Sequence, residues 1–209
     1  TVVRSMYAEL PSHEMSLMLM NTGDQRLVRP SLGSWLTWGM GSINENLPAF
    51  IALCPGGMPV GGAGNWRSAF LPGAYQGTRV GTSNPDPTRL IDFLQNKRVS
   101  SSEQSKQFEF LQQLNAQHLT ERPGEAIIES RIKSFELAFR MQRSVPEVVD
   151  FSQETAETHS LYGIDKPHCK EFGMQLLAAR RMVERGVRFI QIQHGAGGAG
   201  VWDAHGGLK

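Results

Sequence analysis

The feature that most constrains this chain is a helix-like run that feeds directly into a strand-like run near its end. Residues 170–185 set Phe172, Leu176, Ala179 and Val183 at helical spacing on one face. Arg180, Arg181 and Arg185 fall in the last turn, where the helix dipole favours cations. Gly186 breaks the helix, and residues 187–193, with Val187, Phe189, Ile190 and Ile192, read as a buried strand. An α-then-β unit of this kind belongs to a mostly parallel sheet with helices on both faces, so the expected class is α/β. A Gly-rich loop at 195–200 follows and delivers Trp202-Asp203-Ala204-His205-Gly206. In parallel α/β sheets, ligands sit past the carboxyl ends of the strands, on loops. Asp203 and His205 are the oxygen and imidazole donors that a zinc or manganese site uses. The plainer alternative is a glycine turn with a solvated Asp and His.

Composition narrows the partners. The 209 residues suffice for one large domain or two small ones, and 40% hydrophobic with 20% charged residues fits a globular core. A net charge of +1 gives no reason to expect nucleic acid or an anionic membrane as partner. No run of about 18 apolar residues is present, so no membrane span is expected. Cys54 and Cys169 lack metal-ligand spacing and read as two thiols or one bridge. The chain opens on Thr1-Val2-Val3, inside a β-rich stretch, and stops just after the Asp/His loop. It is therefore expected to be a piece of a longer protein.

Taken in order, residues 1–6 are β-rich. A first helix opens at Ser12-His13-Glu14, with Ser12 as N-cap and Glu14 in the first turn, and stops at Asn21-Thr22-Gly23. Its Met15, Leu17, Met18, Leu19 and Met20 make it apolar nearly all round, which predicts burial. A second helix follows Arg29-Pro30-Ser31, and its glycines imply close packing on another element. Residues 47–54 read as a buried strand with Pro48 near the start. Residues 55–64 form an irregular Gly/Pro loop with no phosphate-loop Lys, and 66–75 an excursion before a short strand at 76–80. Beyond a turn at 83–87, helices are expected at 90–95, 103–119 and 125–143. The last carries Ile128, Ile132, Phe135 and Phe139 on its apolar face and ends at Ser144-Val145-Pro146. Residues 152–162 are short helix and loop.

Several long motifs together carry a resemblance. They are Val3-Arg4-Ser5-Met6, Ser12-His13, Thr22-Gly23, Arg29-Pro30-Ser31-Leu32-Gly33-Ser34-Trp35-Leu36, Glu45-Asn46-Leu47-Pro48-Ala49-Phe50, Phe135-Glu136-Leu137-Ala138-Phe139-Arg140-Met141-Gln142, Ala179-Arg180-Arg181-Met182-Val183-Glu184-Arg185-Gly186-Val187-Arg188-Phe189 and Trp202-Asp203-Ala204-His205-Gly206. The chain resembles, over its whole length, the exported bacterial family called domain of unknown function 1501, abundant in planctomycetes and related to the alkaline phosphatase and sulfatase clan. The resemblance implies a three-layer α/β sandwich with a mostly parallel sheet, alkaline phosphatase/sulfatase-like and incomplete in this chain. Residues 1–209 would be part of a single such domain, with a helical insertion at about 88–145. It further implies a twin-arginine signal upstream, export to the periplasm or cell surface, and descent from metal-dependent hydrolases.

For individual residues, the resemblance implies that Asp203 and His205 form one metal-ligand pair for a divalent ion: zinc, manganese or calcium. Further ligands would come from family motifs beyond Lys209. The clan's nucleophile sits at the start of a helix ending in Thr-Gly, which here is the place of Ser12 and His13. The family's usual residue before that His is Asn, and Ser12 departs from it; Ala8 or Glu9 stands where relatives carry Thr. A helix N-terminus suits an anion through its free N–H groups and dipole. Ser12 also reads simply as an N-cap. Arg29 is a candidate clamp for an anionic substrate, with a surface salt bridge the preferred reading. His194, closing the last strand, is a candidate substrate contact or a structural His. His118, His159 and His168 read as surface residues, and Trp35 with Trp38 as core. The expected function is metal-dependent hydrolysis of small anionic phosphate or sulfate esters. The alternative is a catalytically silent binding or surface-structural module of the same fold.

Overall fold

The computed structural model describes residues 2–55, 57–80, 98–124 and 126–194. Six α-helices and three strands are found in them: α1 (His13–Thr22), α2 (Leu32–Met40), β1 (Phe50–Leu53), β2 (Thr78–Val80), α3 (Ser101–Glu121), α4 (Ala126–Val149), α5 (Ala156–Leu161), α6 (Lys170–Glu184) and β3 (Phe189–Ile192). The strands form one sheet of order β2-β1-β3, and both pairings are parallel. Phe50 lies opposite Phe189 and Leu53 opposite Ile192, so the two apolar runs of the sequence share a sheet in register. The expected turn at 83–87, helix at 90–95 and glycine loop at 195–200 lie outside the described residues. Residues 2–6 form no strand, and Val2 and Val3 are exposed.

β1 is the centre of the molecule. All four of its side chains are buried, Phe50 at 2% exposure being the least so. A strand covered on both faces reads as a continuous apolar run instead of an alternating one, and Phe50-Ile51-Ala52-Leu53 is such a run. Ile51 and Leu53 face one way, joined by Val80, by Val145, Val148 and Val149 of α4, and by Met174, Leu177, Ala178 and Met182 of α6. Phe50, Ala52 and Cys54 face the other way, against Trp66 and Phe189. Helices thus lie on both faces, giving a three-layer α/β sandwich.

α2 reaches the second face through a missing side chain. A Cβ on Gly33 would stand 2.6 Å from the rings of both Phe50 and Phe189, whose centroids are 5.4 Å apart in an edge-to-face pair. Gly39 has open space around its Cα and takes no part in this packing. Three hydroxyls on the inner side of α2 are satisfied internally. Ser31 and Ser34 Oγ are 2.9 Å apart, Ser34 Oγ donates to the Arg67 carbonyl, and Thr37 Oγ1 donates to that of Gly33. Trp35 and Trp38 project outward, 41% and 52% exposed, and do not belong to the core. The helix buries its small residues, so its large ones point away.

Two helices differ from their sequence reading because of what they pack on. α4 does not stop at 143 but runs through Pro146 to Val149. An interior proline costs about 3 kcal/mol; Val145, Val148 and Val149, all fully buried, offset it. Arg181 closes the far end by donating to the carbonyls of Glu147 (2.7 Å) and Val148 (2.9 Å). The core face of α4 is Leu137, Met141, Val145 and Val148, whereas Phe135 is 73% exposed. On α6 the buried stripe is Met174, Leu177, Ala178 and Met182; of the expected face Ala179 is buried, Phe172 and Leu176 are half-buried and Val183 is exposed. α1, although apolar all round, buries no residue fully. α3 packs on α4 through stacked Phe108 and Phe139, 4.1 Å between centroids, flanked by Gln104–Gln142 and Gln112–Glu136 hydrogen bonds.

The α6–β3 junction is set by Gly186. Its φ of 87° allows the Val187 N–H to donate to the Met182 carbonyl and its own N–H to that of Val183. This is the Schellman arrangement that glycine favours. Above the junction, Glu154 accepts from Arg180 (2.6 Å) and Arg181 (2.8 Å), tying the α4–α5 connection to α6.

Two outcomes follow. Gly33→Ala should destabilise the fold by about 2 kcal/mol through forced displacement of Phe50 and Phe189, read as a lower urea midpoint at unchanged slope. The Arg180 and Arg181 hydrogen bonds hold the Glu154 carboxyl below its ordinary pKa. A depressed carboxylate contributes stability above its unfolded pKa and loses it as pH falls through the folded one. Urea midpoints at pH 7 and pH 3 should therefore fall less steeply in Glu154→Gln than in the parent chain.

Candidate active site

The carboxyl ends of the strands come together where residues 53–54, 80 and 192–194 meet. The Gln193 N–H donates to the Leu53 carbonyl (2.8 Å), and the Cys54 N–H to that of Val80 (3.3 Å). These bonds carry the parallel pairing past the regular strands and set His194 alongside the Cys54 end of β1. α6 precedes β3 and runs back along it, so its first turn lies at this same edge. Its Phe172 ring stands 4.1 Å from the His194 ring at 31°. The stack fixes the plane of the imidazole beside the carboxyl edge.

The loop leaving β1 meets α1. A Cβ on Gly61 would lie 3.5 Å from Glu14 Cγ, and one on Gly64 3.1 Å from Met18 Sδ, so α1 rests on this loop along its glycines. Asn65, fully buried, ties the parts together. Its Nδ2 donates to the carbonyls of Val60 (2.9 Å) and Gly62 (3.0 Å), and its Oδ1 accepts from Asn21 Nδ2 of α1 (2.8 Å). Its backbone carbonyl accepts from Gln191 of β3 (3.3 Å). One residue thus couples α1 and the loop through its side chain and the sheet through its backbone. Nothing in the sequence marked Asn65, because an Asn in a Gly/Pro stretch reads as a turn residue.

Each candidate residue can now be placed. Ser12 holds the N-cap position of α1 with extended backbone, and its hydroxyl makes no capping hydrogen bond; Ser16 N–H bonds the Ser12 carbonyl instead. His13 is the first residue of α1 and is exposed. Arg29 Nε stands 3.6 Å from the Asp24 carboxylate, the surface ion pair expected of it. Asp24 accepts the Leu27 and Arg26 N–H groups, and these, more than Arg29, hold its carboxyl below the usual range. His194 lies at the carboxyl edge as described. Asp203 and His205 lie outside the described residues. Both cysteines are free thiols, Cys54 buried and Cys169 half-buried. His159 is not a bare surface residue: its Nε2 lies 3.4 Å from the Phe151 carbonyl.

Arg79 on β2 is opposite Ala52 and on the same sheet face as Cys54. Burial pushes the Cys54 thiol up, and the positive charge of Arg79 pulls it part of the way back.

A cleft of about 510 Å³ opens elsewhere, at the amino ends of β1 and β2. Thr37, Glu45, Pro48, Tyr75, Lys133 and Arg140 are among its walls. Arg140 there donates to the Glu45 carbonyl (2.7 Å), bracing α4 against the loop before β1. It is the wrong end of a parallel sheet for the expected chemistry.

The family model described as protein of unknown function (DUF1501) matches residues 1–209. The chain belongs to the DUF1501 family. No curated protein and no solved structure matches it. No helix among the described residues is long and apolar enough to cross a membrane. The described residues of this DUF1501 chain bring no group of three or more His, Cys, Asp or Glu together as a metal site.

Asn65→Ala should cost about 2 kcal/mol, since two loop carbonyls and the Asn21 amide lose a buried partner. Hydrogen exchange should show faster opening of α1 than of β1 in this variant. Equal acceleration in both would mean that Asn65 supports the whole fold and not the α1 contact.

Proposed function

We propose that this DUF1501 protein is an exported, metal-dependent hydrolase of small phosphate or sulfate esters, working at the carboxyl edge of its parallel sheet. The observation that carries the reading is the position of His194, held by Phe172 just past β3 and alongside the Cys54 end of β1. The Asp203-Ala204-His205 motif follows it in sequence after a Gly-rich stretch. In this reading Asp203 and His205 hold the ion, with further ligands from outside the described residues, since a closed site takes three or four. A bound zinc, manganese or calcium ion supplies Lewis acidity toward an ester oxygen. His194 contacts the substrate, and the start of α1, with Ser12 and His13, offers N–H groups to its anionic end. In the overall reaction a water oxygen bonds to phosphorus or sulfur. The bond to the alcohol oxygen breaks, and a proton passes from the water to the departing alcohol. The imidazole of His13 or of His194 carries that proton in this reading. Export to the periplasm or cell surface rests on the family resemblance.

The test is hydrolysis of 4-nitrophenyl phosphate and 4-nitrophenyl sulfate by protein incubated with each of the three ions. Asp203→Ala and His205→Ala should each lower turnover by at least a hundredfold with unchanged circular dichroism. Turnover equal to that of the parent chain in both variants would remove the metal role assigned to them. Ion binding without turnover in the parent protein would favour the silent binding module, as would Ser12 standing where the family's nucleophile region carries Asn.

A further inference from the structure

The cleft of about 510 Å³ at the amino ends of β1 and β2 takes no part in the proposed reaction, yet its walls are held in place and carry charge. One wall is α4, which presents Lys133, Glu136, Leu137 and Arg140 at helical spacing. A second is the single helical turn Gly73–Tyr75, seated on α4 where a Cβ on Gly73 would meet Ser130 Cβ at 3.6 Å. The third is the loop before β1. There Asn44 Oδ1 accepts the N–H groups of Asn46 (2.8 Å) and Leu47 (2.6 Å), and its Nδ2 donates to the Gly186 carbonyl (3.3 Å). Glu45 is thereby fixed within a turn, and Arg140 Nε donates to its backbone carbonyl (2.7 Å). No ion pair among the described residues joins Arg140 or Lys133 to Glu45 or Glu136.

Two cations and two acids leave the cleft without net charge. A plain anion or a plain cation would meet like charge there as well as opposite charge. A group that carries both signs close together meets only its complements. Half-buried Leu137 and Tyr75 add apolar surface, and the volume lies in the range of small-molecule sites. We infer that this cleft binds a free α-amino acid with a large apolar side chain. The carboxylate meets the terminal nitrogens of Arg140, whose Nε bond to the Glu45 carbonyl fixes the plane of the guanidinium. The ammonium meets the Glu45 carboxylate, and the side chain lies against Leu137 and Tyr75. Lys133 and Glu136 keep the charge of the cleft in balance.

Isothermal titration with L-phenylalanine and L-leucine tests this, with 3-phenylpropionate and 2-phenylethylamine as probes that each lack one charge. The amino acids should bind, and each probe at least tenfold more weakly than L-phenylalanine. Glu45→Gln keeps the backbone carbonyl that Arg140 holds. It should weaken the amino acids at least tenfold while circular dichroism and the urea midpoint stay as in the parent chain. Arg140→Gln should weaken them at least as much, Arg140→Lys should recover part of that loss, and Arg29→Gln, outside the cleft, should stay within twofold. No binding of either amino acid by the parent chain, or unchanged affinity in Glu45→Gln, overturns the inference. Binding of 3-phenylpropionate as tight as that of L-phenylalanine overturns it too, since the cleft would then be an anion site.

Discussion

The burial of β1 on both faces is the interaction on which the rest of the structure depends. Four consecutive apolar side chains can be hidden at once only if each face receives its own helical layer. One layer comes from the ends of α4 and α6, whose valines, methionines and leucine meet Ile51 and Leu53. The other comes from α2 and Trp66, and it closes only because residue 33 has no side chain to hold α2 away from Phe50 and Phe189. The tolerance of Pro146 inside α4 follows from the same demand. The helix continues through a residue that ordinarily ends it because the last turn has valines to bury.

That arrangement also decides where chemistry can occur. With all strands parallel, their carboxyl ends lie together. His194, Cys54 and the loop beneath α1 gather there. Asn65 keeps the loop, α1 and β3 in fixed relation, so this edge is preorganised by the core and not by surface contacts. The cleft at the opposite edge is braced by Arg140 and the loop before β1, a structural junction.

Much of this was legible in the sequence. The continuous run ending at Cys54, the break at Gly186 and the run after it marked β1, α6 and β3 with ends within three residues, because burial on both faces and a positive φ leave direct marks. Helix faces were less legible. On α6 the expected face included half-buried Leu176 and exposed Val183, since a long helix between a sheet and solvent carries apolar residues on its margins too. Apolar content misled for α1, which lies on a glycine loop and buries nothing fully, and for Trp35 and Trp38, which point outward because α2 packs by its small side. Of the candidate site, His194 was visible as the residue closing a strand. Asn65 was not, because its significance comes from contacts between segments distant in sequence, and no local pattern records those.

The central claim is that the carboxyl edge is where an ion and an anionic ester meet. Anomalous diffraction from crystals soaked with manganese or zinc locates the ion without reference to any substrate. The account predicts a single strong peak beyond Cys54 and His194, on the side where α1 begins. A peak at the amino-edge cleft between Thr37 and Arg140, or none at either edge in crystals with saturating ion, would contradict it.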